Sequence, residues 1–106
     1  MVEGIQALSS SGGIDAVYYY WWGFYVYLSD DTCDALVLAM GGGIGTILIL
    51  TAALGPIGLI AGIAAGILTI GASVISYYNR NNTGIKIRFN FIPFPPFCVP
   101  TGVWPQ

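Results

Sequence analysis

The chain falls into stretches with distinct hydrophobic patterns. From residues 35–79 there is no Asp, Glu, Lys, Arg or His, and the run is broken by Gly55-Pro56. About 20 residues of helix cover the ~30 Å hydrocarbon core of a bilayer, and residues 35–54 and 57–77 are two such lengths. Gly ends a helix well and Pro starts one well, so the pattern predicts a helical hairpin bent at Gly55-Pro56. Residues 17–28, VYYYWWGFYVYL, are aromatic and β-branched, which predicts a strand apolar on both faces, with Gly23 as a bulge. Residues 85–91, IKIRFNF, alternate: Ile85, Ile87, Phe89 and Phe91 face one way, Lys86, Arg88 and Asn90 the other. The fold expected is mainly α with a small β ribbon: β-α-α-β, an apolar helical hairpin flanked by two short antiparallel strands. Edges of so small a ribbon invite strands from neighbouring copies.

The second predicted helix is two-faced in size rather than polarity. Gly58, Ala61, Gly62, Ala65, Gly66, Thr69, Ala72, Ser73 and Ser76 share one face, and Ile60, Ile63, Ile67, Ile70, Val74 and Tyr77 the other. Gly58-x-x-x-Gly62-x-x-x-Gly66 doubles the small-x-x-x-small pattern that lets helix backbones approach closely, and Gly41-x-x-x-Gly45 is a shorter version. Gly41, Gly45, Gly58, Gly62, Gly66, Thr69 and Ser73 are therefore expected either to drive helix association or to close the hairpin on itself.

The flanks divide the chain into three segments. Residues 1–16 read as a flexible or leader-like N-terminal segment: they lack the basic and apolar regions of a Sec-type signal, but Gly12-Gly13 stands where a double-glycine leader is cut. Residues 17–92 hold the helical-hairpin domain. Residues 93–106 form an extended, apolar tail rich in Pro and Phe. Ser29, Asp30 and Asp31 suit the start of the first helix and Arg80 the end of the second. Tyr18, Tyr19, Tyr20, Trp21 and Trp22, with Trp104, read as an interfacial belt or a packing surface between subunits. Lys86 and Arg88 are expected to lie over the Tyr and Trp rings of residues 17–28.

Composition narrows the function. Of 106 residues, 56% are hydrophobic and 8% charged, about a third of the charge of an ordinary soluble domain. A monomer this apolar lacks the polar surface to cover itself, so lipid or sister copies are the expected partners. The net charge of −2 argues against nucleic acid. With no His, no nucleophile–base pair and no phosphate-binding loop, the chain reads as a non-enzyme without cofactor, metal or small-molecule substrate. Cys33 and Cys98 are either a disulfide in an exported protein or two unrelated thiols.

The layout resembles small glycine-rich, bacteriocin-like proteins. It shares Gly12-Gly13, an aromatic segment running into Leu28-Ser29, an alanine- and glycine-rich hairpin, the Asn81-Asn82-Thr83-Gly84-Ile85 turn and a short apolar tail ending in Gln106. Glycine-zipper toxins among such proteins are exported and aggregate at, or insert into, target membranes. The resemblance implies a secreted or membrane-associated homo-oligomer that perturbs bilayers. Two alternatives fit the residues: a self-assembling subunit of an extracellular filament, tube or sheet, and a small resident subunit of a membrane complex.

Overall fold

The computed structural model describes residues 8–10, 12–40, 43–95 and 97–106. Within them, strands β1 (Leu8–Ser10), β2 (Gly13–Tyr20) and β3 (Gly23–Leu28) lead into helices α1 (Asp30–Ala39), α2 (Gly43–Leu54), α3 (Ile60–Ile70) and α4 (Ala72–Tyr78), and strands β4 (Ile85–Phe91) and β5 (Cys98–Pro105) follow. The five strands form one antiparallel meander in the order β1-β2-β3-β4-β5. The helices cover one face of it, giving two layers around one core.

This corrects the expected fold. The protein is not mainly α, and the order β-β-β-α-α-α-α-β-β replaces β-α-α-β. The aromatic run at residues 17–28 is not one strand. It folds back at Trp21-Trp22, so that Tyr18 pairs with Tyr25 and Tyr20 with Gly23. Gly23 is no bulge: it opens β3, where a Cβ would collide with the Phe89 carbonyl oxygen. The proline-rich tail supplies β5. Pro100 and Pro105 are tolerated because β5 is an edge strand, where a missing N–H breaks no second ladder.

The predicted hairpin of two long helices is four short ones. α1 ends at Ala39 and α2 begins at Gly43. Gly55, at φ 85°, ends α2. Gly71 takes φ 89° and ψ 157°, a conformation open only to glycine, and turns α4 by 87° from α3. Among the described residues no single helix is long and apolar enough to cross a membrane. The lengths match the sheet instead. β4 has 7 residues and so runs about 20 Å, and the 11 residues of α3 run about 17 Å. A 20-residue helix would overhang such a sheet by roughly 10 Å.

The alternating pattern decides what is buried. Phe24, Val26 and Leu28 from β3 and Ile85, Ile87 and Phe89 from β4 point at the helices. They meet Leu36 of α1, Leu50 and Leu54 of α2, Ile60, Ile63 and Ile67 of α3 and Ile75 of α4. Each such side chain contributes about 2 kcal/mol of transfer free energy. Phe24 and Phe89 stack at 4.9 Å between ring centres. The isoleucine face of α3 is thus its core face.

One end of the sheet is closed by polar groups. The Gln106 side chain donates to the carbonyl oxygens of Ile14, Leu28 and Ile85 and accepts from Ile14 N–H. Asn79 donates to Asp30 at 2.8 Å and accepts from Gly84 N–H at 2.9 Å. Buried Asp15 accepts from both the N–H and the hydroxyl of Ser29. Ser29 is also the N-cap of α1, accepting from Thr32 N–H. Two chain reversals and two helix ends therefore share one hydrogen-bonded cluster, which settles groups that would otherwise be buried unpaired.

Candidate functional site

The face of the sheet turned away from the helices is lined with rings and two cations. Strand alternation places Tyr18 and Tyr20 of β2, Tyr25 and Tyr27 of β3, Lys86 and Arg88 of β4 and Trp104 of β5 on it. Trp22, in the β2–β3 turn, joins them by stacking on Tyr20 at 4.9 Å. Tyr18 meets Tyr27 edge-on at 5.4 Å, and Tyr25 lies edge-on to both Tyr20 and Trp22. The Arg88 guanidinium sits 4.4 Å over the Trp22 ring. The Lys86 ammonium lies 4.9 Å from Tyr25, 5.5 Å from Trp104 and 5.9 Å from Tyr27. Burial, reinforced by the neighbouring Tyr20, Tyr18 and Tyr25 phenols, raises the Tyr27 pKa.

The charges on this face are unbalanced. The described carboxylates are Asp15, bound to Ser29, and Asp30, Asp31 and Asp34 of α1. Asp15, Asp30 and Asp31 lie at or beside the Gln106 end, and exposed Asp34 lies one turn further along α1, in the helical layer. Arg88 Nε is buried and meets no hydrogen-bond acceptor among the described residues.

At the opposite end of the sheet the β2–β3 turn and the β4–β5 connection form an apolar tip. Trp21 is 91% exposed, Phe94 60% and Phe97 59%, and Ile92 is exposed beside them. A cis peptide joins Ile92 to Pro93. Between the two loops lies a cleft of about 440 Å³ lined by Trp21, Trp22, Asn90, Phe91 and Pro93 to Pro95. No described residue of the cleft is charged.

The third surface is the outside of the helices. Leu38 is 86% exposed and Leu48 64%, with Ile47, Leu68, Val74 and Tyr77 also open to solvent. From residue 35 to residue 79 nothing charged interrupts them.

The residues expected from sequence are distributed among these surfaces. Of the aromatic group, Tyr18, Tyr20, Trp22 and Trp104 share the ring-lined face, Trp21 stands at the tip, and Tyr19 points into the core beside Phe24. Of the small-residue group, Gly41 lies outside the described residues. Gly45 faces Ala39, letting α2 fold back close to α1. Gly66 is buried under the Phe89 ring and Pro100, so that this glycine seats α3 on its own sheet. Gly58, Thr69 and Ser73 are exposed, as are Ala61 and Ala65 beside them, and Gly62 is half-buried. Arg80 donates to Tyr77 O at the end of α4 and covers the Tyr77 ring.

Both cysteines are free thiols. Cys33 donates to Leu28 O, which stands where β3 meets Ile85, while Cys98 pairs with Phe91 at the other end of β4. About 20 Å of strand separates the two positions, against the ~7 Å limit between Cα atoms that a disulfide allows. The disulfide alternative is therefore set aside for this fold. Burial pushes the Cys33 thiol up to about 12, and the half-buried Cys98 is raised too.

Sequence reading passed over Tyr25, Tyr27, Phe94 and Phe97 as site residues. Once the chain is split at Trp21-Trp22, the alternation of Tyr25 and Tyr27 with Phe24 and Val26 marks them as facing away from the core. Comparisons with family models, curated proteins and solved structures gave no match.

Proposed function

We propose that this is a self-associating, membrane-active protein, exported and bacteriocin-like in its mode of action, whose apolar helical layer is covered by sister copies and whose assemblies perturb bilayers. The observation that carries the reading is the outer surface of the helices. It carries no charge from residue 35 to residue 79 and exposes Leu38, Ile47, Leu48, Leu68, Val74 and Tyr77. Contiguous apolar surface of this kind mostly marks protein or membrane contacts. Ala61, Ala65 and Thr69 lie open along α3 beside the exposed Leu68, with Gly58 just before the helix, so a second helix meets mainly small side chains there.

Growth into filaments through the sheet edges has less support. β5 carries Pro100 and Pro105, and β1 spans only 3 residues, both common ways of blunting an edge. The test is sedimentation in detergent-free buffer combined with dye release from loaded vesicles. Wild-type protein is expected to form multi-copy assemblies and release dye. The double variant Ala61→Leu, Ala65→Leu should weaken both about tenfold, since its new side chains stand off the approaching helix. Single chains in dilute buffer that leave vesicles intact would overturn the proposal.

A further inference from the structure

The aromatic tip and the two cations behind it are ordered along the strand axis. Trp21, Ile92, Phe94 and Phe97 project at the end. Arg88 follows, held over Trp22 of the tip turn. Lys86 is two residues further back among Tyr25, Tyr27 and Trp104. Asp15, Asp30 and Asp31 lie with the Gln106 end. Along β4, Arg88 stands about 10 Å from Phe91, and Lys86 about 7 Å beyond that.

A bilayer interface has the same sequence of layers. Its acyl region accepts apolar side chains, its headgroup region is about 5–7 Å deep on each side, and Trp and Tyr rings collect at the boundary. Interfacial proteins bury their apolar surface about 5–10 Å deep. A tip inserted to that depth brings the Arg88 guanidinium to the level of the lipid phosphates, with Lys86 just above. The terminal nitrogens of Arg88 and the Lys86 ammonium then meet phosphate oxygens as charge-assisted acceptors. The carboxylates of α1 stay on the far side, away from the negative surface.

We infer that the Trp21/Phe94 end of the sheet is the membrane-docking end of this protein and that it selects anionic phospholipid through Arg88 and Lys86. The inference rests on the membrane-active reading above and adds orientation and lipid class to it. A single-stranded nucleic acid would also use rings interleaved with cations. The net charge of −2 and the uncharged tip favour lipid.

The test is flotation with vesicles of phosphatidylcholine alone and with one third phosphatidylglycerol, using the full chain. Wild-type protein is expected to partition at least tenfold more strongly onto the anionic vesicles, and 0.5 M salt should erase the preference. Arg88→Gln and Lys86→Gln should each lower anionic partition about fivefold and lower phosphatidylcholine binding by less than about twofold. Trp21→Ser, at a position too exposed to affect folding, should weaken binding to both vesicles. Tryptophan quenching by bromine-labelled acyl chains should fall in Trp21→Phe.

Equal binding to both vesicle types overturns the inference. So does dye release that persists while Arg88→Gln and Trp21→Ser bind as wild type; in either case the membrane-active reading still stands. Absence of both binding and release removes the two together. An oligonucleotide that displaces the vesicles in an Arg88-dependent way reassigns the ring-lined face and also overturns the inference.

Discussion

At the Gln106 end of the sheet, three strand ends are joined by one side-chain amide, and Asn79 ties the exit of α4 to the first turn of α1. At the Trp21 end, the loops bring large apolar side chains together in the open, and the polar group nearest them, Asn90, is taken up by Thr101. Both ends reverse the chain of the same sheet. One spends its side chains on the protein's own backbone; the other leaves its aromatic surface unused by the fold. Residues at the first end should therefore govern stability, and residues at the second should govern what the protein meets.

Four tests break or sharpen that contrast. The largest effect is expected from Gln106→Ala. It strands the Ile14 N–H and the carbonyl oxygens of Ile14, Leu28 and Ile85, and should lower stability by about 3 kcal/mol in urea unfolding. An unchanged midpoint would show that water replaces the amide and that the contrast between the ends is overstated. Asn79→Ala comes next, at about 2 kcal/mol, through loss of its bonds to Asp30 and Gly84.

The third test is pH. Cys33 titrates near 9.0 when unfolded and near 12 when buried, so the folded chain keeps a proton that the unfolded chain loses. Its contribution is complete below pH 9 and declines as pH rises from 9 to 12. Stability should fall by about 1 kcal/mol between pH 8 and 10 on this account. Cys33→Ala should remove that part of the slope, whatever its effect at pH 7. The smallest effect on stability belongs to the tip. Trp21→Ser and Phe94→Ser should each shift the unfolding free energy by no more than about 0.5 kcal/mol while reducing vesicle binding. A large loss of stability in either would mean that the tip is structural after all.

Legibility followed from whether a residue's role is local. The alternation of residues 85–91 is visible because a strand with one buried face has a period of two, and β4 buries Ile85, Ile87 and Phe89 accordingly. Ser29 as a cap and Arg80 at a helix end depend on neighbours within one turn. The cation–ring contacts of Lys86 and Arg88 were also within reach, since β3 and β4 pair antiparallel from Leu28 and Ile85 onward. The turn at Trp21-Trp22 was hidden because neither residue carries turn chemistry; tertiary pairing imposes the reversal. The strand in the proline-rich tail was hidden because its tolerance depends on lying at an edge, a position that no local pattern encodes.

The glycines mark the boundary most clearly. A gap for a close neighbour is plain at Gly66 from the periodicity of α3, but the neighbour is the Phe89 ring rather than another helix. Likewise the uncharged run at residues 35–79 fixed that the segment is helical and apolar. That it is cut into four helices, with Ile60, Ile63, Ile67 and Ile75 turned inward and Leu38, Leu48 and Leu68 left outside, was decided by the size of the sheet it covers. Sequence sets which side chains avoid water and at what period, because those are properties of one segment. Which surface they find, and what stays exposed afterwards, depends on contacts between residues far apart along the chain, and only the assembled fold supplies them.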